Sequence, residues 1–125
     1  MTFMIDTDVL IWVLRRNQPS LEWLEALAAQ GGLACSVLTV SEILRAAKEQ
    51  ELSRTHGVLQ ALDIVPVTYE DAILAADIMR QRGPGLVDSH IAAAAIRLQA
   101  HVVTYNRRDF ERTPATLVPI PSSTP

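Results

Sequence analysis

Short apolar segments alternate with amphipathic helical segments along this 125-residue chain, and this alternation restricts its fold more than any other feature. Between the apolar segments, Val9, Trp12 and Val13 show the helical spacing of apolar residues. Strands that are separated by helices pair in parallel, so we expect a three-layer α/β/α sandwich with a parallel sheet of four or five strands. The segments with the character of buried strands are 3–5, 33–37, 64–67 and 101–105.

Local signals predict where several helices begin and end. A Ser/Thr-x-x-acidic pattern is typical of a helix N-terminus, and it occurs at 39–42 and again at 68–71. The first predicts a helix through about Gln50 and the second a helix through Arg82. Residues 117–120 are a candidate fifth strand, placed at an edge because of Pro119 and Pro121. We expect one domain over 1–121 and a frayed tail over 122–125.

Composition excludes several classes of protein. The longest strictly apolar runs, 9–14 and 91–96, are far shorter than the roughly 20 residues of a membrane span. No secretory signal is recognisable, so we expect a cytoplasmic protein with no membrane partner. The single cysteine, Cys35, lies in an apolar stretch, which favours burial and excludes a zinc site built on several thiolates. The histidines also lack the spacing of metal ligands: His56, His90 and His101.

Polar side chains, most of them acidic, follow the predicted strands, and Asp88 joins them from the first turn of the helix that leads into the fourth strand. Carboxyl ends of parallel strands meet at one edge of the sheet, where α/β proteins bind ligands. Each residue has a structural alternative, since a helix N-cap, a capping box or a favourable helix-dipole charge would explain it alone. Together, such carboxylates repel one another unless a divalent cation is bound, and oxygen ligands favour Mg²⁺ or Mn²⁺. The residues concerned are Asp6, Asp8, Glu42, Asp88, Asn106 and Asp109.

Four motifs resemble those of the PIN-domain ribonucleases, specifically the VapC toxins of type II toxin-antitoxin modules. They are MIDTDVL at 4–10, SEI at 41–43, VDSHIAA at 87–93 and TYNRRDF at 104–110. The resemblance implies an endoribonuclease whose Mg²⁺ is held by acidic residues, with Mn²⁺ as a substitute. By that resemblance the catalytic metal ligands are Asp6, Glu42 and Asp88, with Asp109 or Asn106 in the fourth position and Asp109 supplying the charge.

The resemblance also implies supporting residues and partners. Thr7 and Thr104 orient the ligands, while Asp8 stands where the family usually has Asn or Ser and either touches metal or caps a helix. The expected partners are RNA, a cognate antitoxin that covers the site and supplies DNA binding, and a second copy of the chain. Candidate phosphate contacts are Arg15, Arg45, Arg107 and Arg108.

The net charge of −3, from 14 acidic and 11 basic residues, argues by itself against a nucleic-acid partner. If four acidic residues form one metal site, 10 acidic residues remain against the 11 basic ones, so the rest of the molecule is close to neutral. Bound cations would offset the four charges. The acidity is then a local feature, compatible with RNA binding.

Two other functions fit parts of the sequence. Asp6 and Asp8 also match the D-x-D pattern of a haloacid-dehalogenase-like phosphatase, with Asp6 as the nucleophile, but Lys48 has no fitting context for the lysine that such an enzyme needs. A catalytically inactive domain that acts only by binding is the second alternative. A magnesium titration would distinguish it, because an inactive domain should lack the thermal stabilisation that relief of carboxylate repulsion predicts.

Overall fold

The computed structural model describes residues 1–81, 83–122 and 125. The helices are α1 (Thr7–Leu14), α2 (Gln18–Ala28), α3 (Val37–Ala46), α4 (Leu52–Gln60), α5 (Tyr69–Arg80), α6 (Leu86–Leu98) and α7 (Arg107–Phe110), and a single 3-10 turn, Glu49–Glu51, precedes α4. The strands are β1 (Thr2–Ile5), β2 (Gly32–Ser36), β3 (Asp63–Val65) and β4 (His101–Val103). None of these helices is long and apolar enough to cross a membrane.

The four strands form one parallel sheet in the order β3-β2-β1-β4. Phe3 of β1 lies opposite Leu33 on one side and His101 on the other. The chain builds outward from β1 to β2 and β3, then returns to place β4 on the opposite side of β1. The strand order therefore reverses between β1 and β4, and ligand crevices of parallel sheets lie outside the carboxyl ends of strands at such a point.

Helices cover both faces of the sheet, so the predicted three-layer sandwich is confirmed. Phe3 and Ile5 belong to one apolar core, with buried residues of α1 and α2. Met4 points to the other face and belongs to a second core, which α6 supplies with four consecutive alanines, residues 92–95. Alternate residues of a strand face opposite sides of its sheet, and small alanine side chains let a helix lie close to the strands.

The candidate fifth strand does not form in the described part of the chain. Within residues 117–120, only Leu117 pairs with β4, as an isolated bridge to Val102. Pro119 has no amide hydrogen and cannot extend the ladder, so the segment leaves the sheet after one pair. Of the tail predicted to fray, residues 123 and 124 lie outside the described residues.

The two predicted capping patterns have different outcomes. Thr68 is the N-cap of α5, and its hydroxyl accepts a hydrogen bond from Asp71 N at 3.1 Å. The prediction at Thr39 is wrong, because Ser36 caps α3 by accepting from Leu38 N at 3.1 Å. Ser36 is the last residue of β2, so a cap is available before Thr39, which becomes a buried residue inside the helix.

Helix ends also differ from their predicted positions. The helix predicted to reach Gln50 stops at Ala46, because Ala47 adopts an extended conformation. The α5 helix ends at Arg80, and Arg82, its predicted last residue, is not among the described residues. These differences do not move the carboxyl ends of the strands, where the site residues lie.

A buried ion pair joins α5 to α6. Arg97 donates from Nε to Asp71 Oδ1 at 2.7 Å and from Nη2 to Asp71 Oδ2 at 3.0 Å. The carboxylate is 1% exposed and the arginine side chain 31%. Burial opposes ionisation of Asp71, but hydrogen bonds from Arg97 and Thr68 outweigh it and hold the pKa of the carboxyl group below its ordinary value.

We predict that Arg97→Ala destabilises the protein by about 2–4 kcal/mol at pH 7, because it leaves a buried carboxylate without its cation. A lowered pKa stabilises the fold above the ordinary pKa of Asp, and this contribution is lost as the pH falls and the carboxylate is protonated. The loss should therefore shrink below about pH 4. Urea unfolding measures it. Arg80→Ala, which removes an exposed pair with Asp77, is the control and should cost about 0–1 kcal/mol. Equal losses would contradict the prediction.

Candidate active site

Asp6 lies at the carboxyl end of β1 and links this strand to β4. Its Oδ1 accepts from Thr7 N at 2.8 Å, which makes it the N-cap of α1. Its Oδ2 accepts from the Thr104 hydroxyl at 2.7 Å, just after β4. The carboxylate is buried at 4% exposure. Asp6 therefore caps α1 and also lies at the strand ends, and the capping hydrogen bond holds its carboxylate in place.

Glu42 reaches the same edge from α3. The Thr7 hydroxyl donates to Glu42 Oε1 at 2.6 Å and lies 3.1 Å from the hydroxyl oxygen of buried Thr39. Sequence reasoning did not assign Thr39 to the site. A signal was present, because Thr39 lies three residues before Glu42 and residues at this spacing share a helix face.

Asn106 joins the remaining two predicted carboxylates. Its side-chain Nδ2 donates to Asp109 Oδ2 at 3.0 Å and to Asp88 Oδ2 at 3.4 Å. Its backbone N donates to the Thr104 hydroxyl at 2.9 Å. Asn106 thus lies between Asp88 and Asp109 and donates to both carboxylates.

Asp8 does not cap α1, because Asp6 does. Its Oδ2 accepts from Tyr105 N at 3.2 Å, so it holds the segment between β4 and α7. Its Oδ1 is buried and has no hydrogen-bond partner within the described residues. A buried carboxylate oxygen without a donor is costly, and a bound cation or its water would satisfy it.

The electrostatics of the cluster are those of crowded carboxylates. Burial, followed by the charge of Asp8, raises the pKa of Asp6 to about 7. Burial, followed by the charges of neighbouring site carboxylates, raises the pKa of Asp88 to about 6. Burial also raises the pKa of Asp8. At neutral pH these groups oppose one another's ionisation, a conflict that a divalent cation relieves.

The donor chemistry of this edge fits a hard divalent cation. Its acidic groups are carboxylates, one buried oxygen lacks a hydrogen-bond partner among the described residues, and burial followed by mutual repulsion raises the pKa values of Asp6 and Asp88. Within the described residues, no three Asp, Glu, His or Cys side chains converge closely enough to hold a metal ion as they stand. Glu42 instead contacts Thr7 and Asp88 contacts Asn106, so rotation of these side chains would accompany binding.

The four arginines predicted to contact phosphate lie around the molecule in different settings. Arg107 donates from Nη1 to Val118 O at 2.6 Å and so holds the C-terminal segment. Arg15 lies just after α1 with its guanidinium 5.5 Å from the Trp12 ring centroid. Arg45 and Arg108 are exposed on α3 and α7. Their contact with RNA stays a prediction.

A groove of about 550 Å³ lies between the C-terminal ends of α1 and α3 and the start of α4. Its apolar residues include Ile11, Leu14 and Ile43, and Glu51 contributes a carboxylate. Four cationic side chains line it: Arg15, Arg16, Lys48 and Arg54. The eight-residue helix α1 links this groove to the acidic site, about 12 Å away along its axis.

The model of the PIN domain family matches residues 3–115. The chain belongs to the PIN domain family. It is 31% identical over 108 residues to Ribonuclease VapC10 of Mycobacterium tuberculosis. The aligned region covers 82% of this chain and 81% of that relative. Two solved structures of VapBC proteins bound to DNA, each 24% identical, share this PIN fold. The structure from Rickettsia felis has a TM-score of 0.83 and covers 95% of this chain and 98% of that chain. The structure from Salmonella typhimurium has a TM-score of 0.80 and covers 95% of this chain and 97% of that chain.

Membership of the PIN family argues against the phosphatase alternative, and so does the position of the lysine. Lys48 is exposed and precedes the 3-10 turn, beside the groove and away from Asp6. Both oxygens of Asp6 accept hydrogen bonds, as expected for a helix cap.

We predict that Asp88→Asn stabilises the metal-free protein by about 1–2 kcal/mol at pH 8, after allowance for solvent screening. Because the folded pKa lies above the ordinary value, ionisation of Asp88 opposes folding as the pH rises from about 4 through 6. The gain should disappear near pH 4. Chemical unfolding in EDTA at both pH values measures it. Asp63→Asn, at an exposed position at the amino end of β3, is the control. A gain that persists at pH 4 would have another origin.

Proposed function

We propose that this chain is an Mg²⁺-dependent endoribonuclease and the toxin of a type II toxin-antitoxin module. The observation that carries the proposal is the gathering of site carboxylates, with raised pKa values for Asp6 and Asp88, at the carboxyl ends of β1 and β4 in a PIN fold. The similarity to a protein named a ribonuclease supports RNA as the substrate. Because RNA is the substrate, a cytoplasmic location is part of the same proposal.

Four carboxylates hold the ion in this proposal: Asp6, Glu42, Asp88 and Asp109. When bound, Mg²⁺, or Mn²⁺ in its place, supplies the means to activate water and stabilise the leaving oxygen in phosphodiester hydrolysis. The chain's own donors orient the ligands: Thr104 fixes one oxygen of Asp6, Thr7 fixes Glu42, and Asn106 lies between the other two carboxylates. Asp8 adds charge beside them.

We predict that Asp6→Asn and Asp88→Asn each lower the rate of RNA cleavage by about 100-fold or more, because each removes a metal-holding charge. The measurement is cleavage of total cellular RNA with Mg²⁺. EDTA should abolish cleavage in the wild type, and excess Mg²⁺ should restore it. Asp63→Asn should retain full activity. Full activity in either site variant would remove the metal site from the mechanism.

Thermal unfolding with and without Mg²⁺ separates an enzyme from an inactive binding domain. Mg²⁺ at about 100 times its Kd should stabilise the wild type by about 2.7 kcal/mol and the two site variants much less. A wild type that Mg²⁺ does not stabilise and that cleaves no RNA would favour the binding-domain alternative.

We further propose that a cognate antitoxin covers the acidic site and also binds the groove between α1, α3 and α4, and that any DNA binding occurs through it. Similar chains occur in solved VapBC proteins with DNA bound, which supports this partner. The apolar floor and the four cations suit an amphipathic segment that carries acidic side chains. Formation of a homodimer stays a prediction.

We predict that Arg16→Glu combined with Lys48→Glu weakens binding of the cognate antitoxin about tenfold or more, because both reverse the charge of the groove. Isothermal titration with the purified antitoxin measures it. Arg80→Glu, a single charge reversal on α5 away from the groove, should leave the Kd unchanged. An unchanged Kd in the double variant would place the antitoxin elsewhere.

A further inference from the structure

Tyr105 lies between two residues of the site, Thr104 and Asn106, yet its side chain points away to α2. Its hydroxyl lies 2.7 Å from Ser20 Oγ, and its ring centroid lies 5.3 Å from that of Trp23. Its backbone N donates to Asp8 Oδ2 at 3.2 Å. The residue is therefore anchored on three sides, by α2 through its ring and hydroxyl and by α1 through its backbone.

The direction of the Tyr105 hydrogen bond follows from its neighbours. Ser20 Oγ donates its single hydrogen to Asn17 Oδ1 at 2.7 Å, and the same oxygen of Asn17 also accepts from Ser20 N at 3.0 Å. The Tyr105 hydroxyl must then be the donor to Ser20 Oγ. Ser20 is fully buried, so this acceptor is kept from solvent and held in place by the cap of α2.

The segment that Tyr105 anchors, residues 104–106, makes many of the hydrogen bonds of the site. Thr104 donates to Asp6, Asn106 donates to Asp88 and Asp109, and Asn106 N donates back to Thr104. The acceptors are carboxylates that repel one another. Contacts within the site alone would let the segment shift with those carboxylates, whereas α2 carries none of the acidic site residues and holds Tyr105 from outside the cluster.

We propose that Tyr105 is a positioning residue for the ribonuclease site, and that its hydrogen bond to Ser20 sets the place of Thr104 and Asn106 relative to the carboxylates. The inference rests on the proposed function for its kinetic part. Tyr105 itself does not touch the reacting groups. It acts through the backbone on both sides of it. When that backbone shifts slightly, the donors Thr104 and Asn106 shift with it, and so do the carboxylates that they hold.

Removal of the hydroxyl alone tests the proposal. Tyr105→Phe keeps the ring against Trp23, and Ser20→Ala removes the acceptor from the other side of the same bond. We expect each to lower kcat by about five- to tenfold, the size expected for one buried hydrogen bond, with KM for RNA within about twofold of wild type. The double variant should lose no more than either single one, because both remove the same contact.

A second readout does not depend on cleavage. In ¹⁵N-resolved NMR spectra, the side-chain amide signal of Asn106 should shift or broaden in Tyr105→Phe. Thr68→Ala is the control, since it removes a cap hydroxyl near the opposite edge of the sheet, three strand spacings or about 14 Å away. It should lower the Tm and leave both kcat and the Asn106 signal unchanged.

Two results would overturn the proposal: an unchanged kcat in Tyr105→Phe, or an equal loss of kcat in Thr68→Ala, which would reduce the effect to general stability. If the wild-type protein cleaves no RNA, the proposed function fails and the Asn106 signal alone decides. An Asn106 signal unchanged in Tyr105→Phe would then refute the positioning role.

Discussion

The burial of several carboxylates close to one another is the constraint on which the rest of this structure depends. The crossover order of the parallel sheet brings acidic residues from β1, α3, α6 and α7 to one edge, where burial strengthens their interaction. The protein does not relieve this by pairing each with a cation. Most of them instead receive a hydrogen bond from a neutral donor, which fixes the oxygen and leaves the charge in place.

The choice of donors explains how one edge can be ordered and still suit a metal ion. A threonine hydroxyl or an asparagine amide holds a carboxylate in a defined orientation without neutralising it. The nearest cation among the described contacts of the site is Arg112, whose Nη1 lies 3.7 Å from Asp109 Oδ1 at a partly exposed position. The Asp71–Arg97 pair is different, because there a cation neutralises the buried carboxylate and the pair joins two helices.

Much of the fold could be predicted from the sequence because local patterns of apolar and capping residues specify the strands and helix ends. All four strands and the cap at Thr68 follow from apolar runs and capping chemistry, and their predicted positions hold to within about two residues. The cap predicted at Thr39 is wrong because Ser36 offers an earlier one. The predicted fifth strand does not form among the described residues because its prolines permit only one bridging pair with β4.

The sequence by itself determined the order of strands and helices and the placement of acidic residues next to strand ends, because both depend on spacing within a few residues. Only the tertiary structure decided which groups meet. Thr104 reaches Asp6 across 98 positions, Thr7 reaches Glu42 across 35, and Tyr105 reaches Ser20 across 85. Such contacts depend on the strand order and on how each helix is rotated against the sheet, and local periodicity carries no information about either.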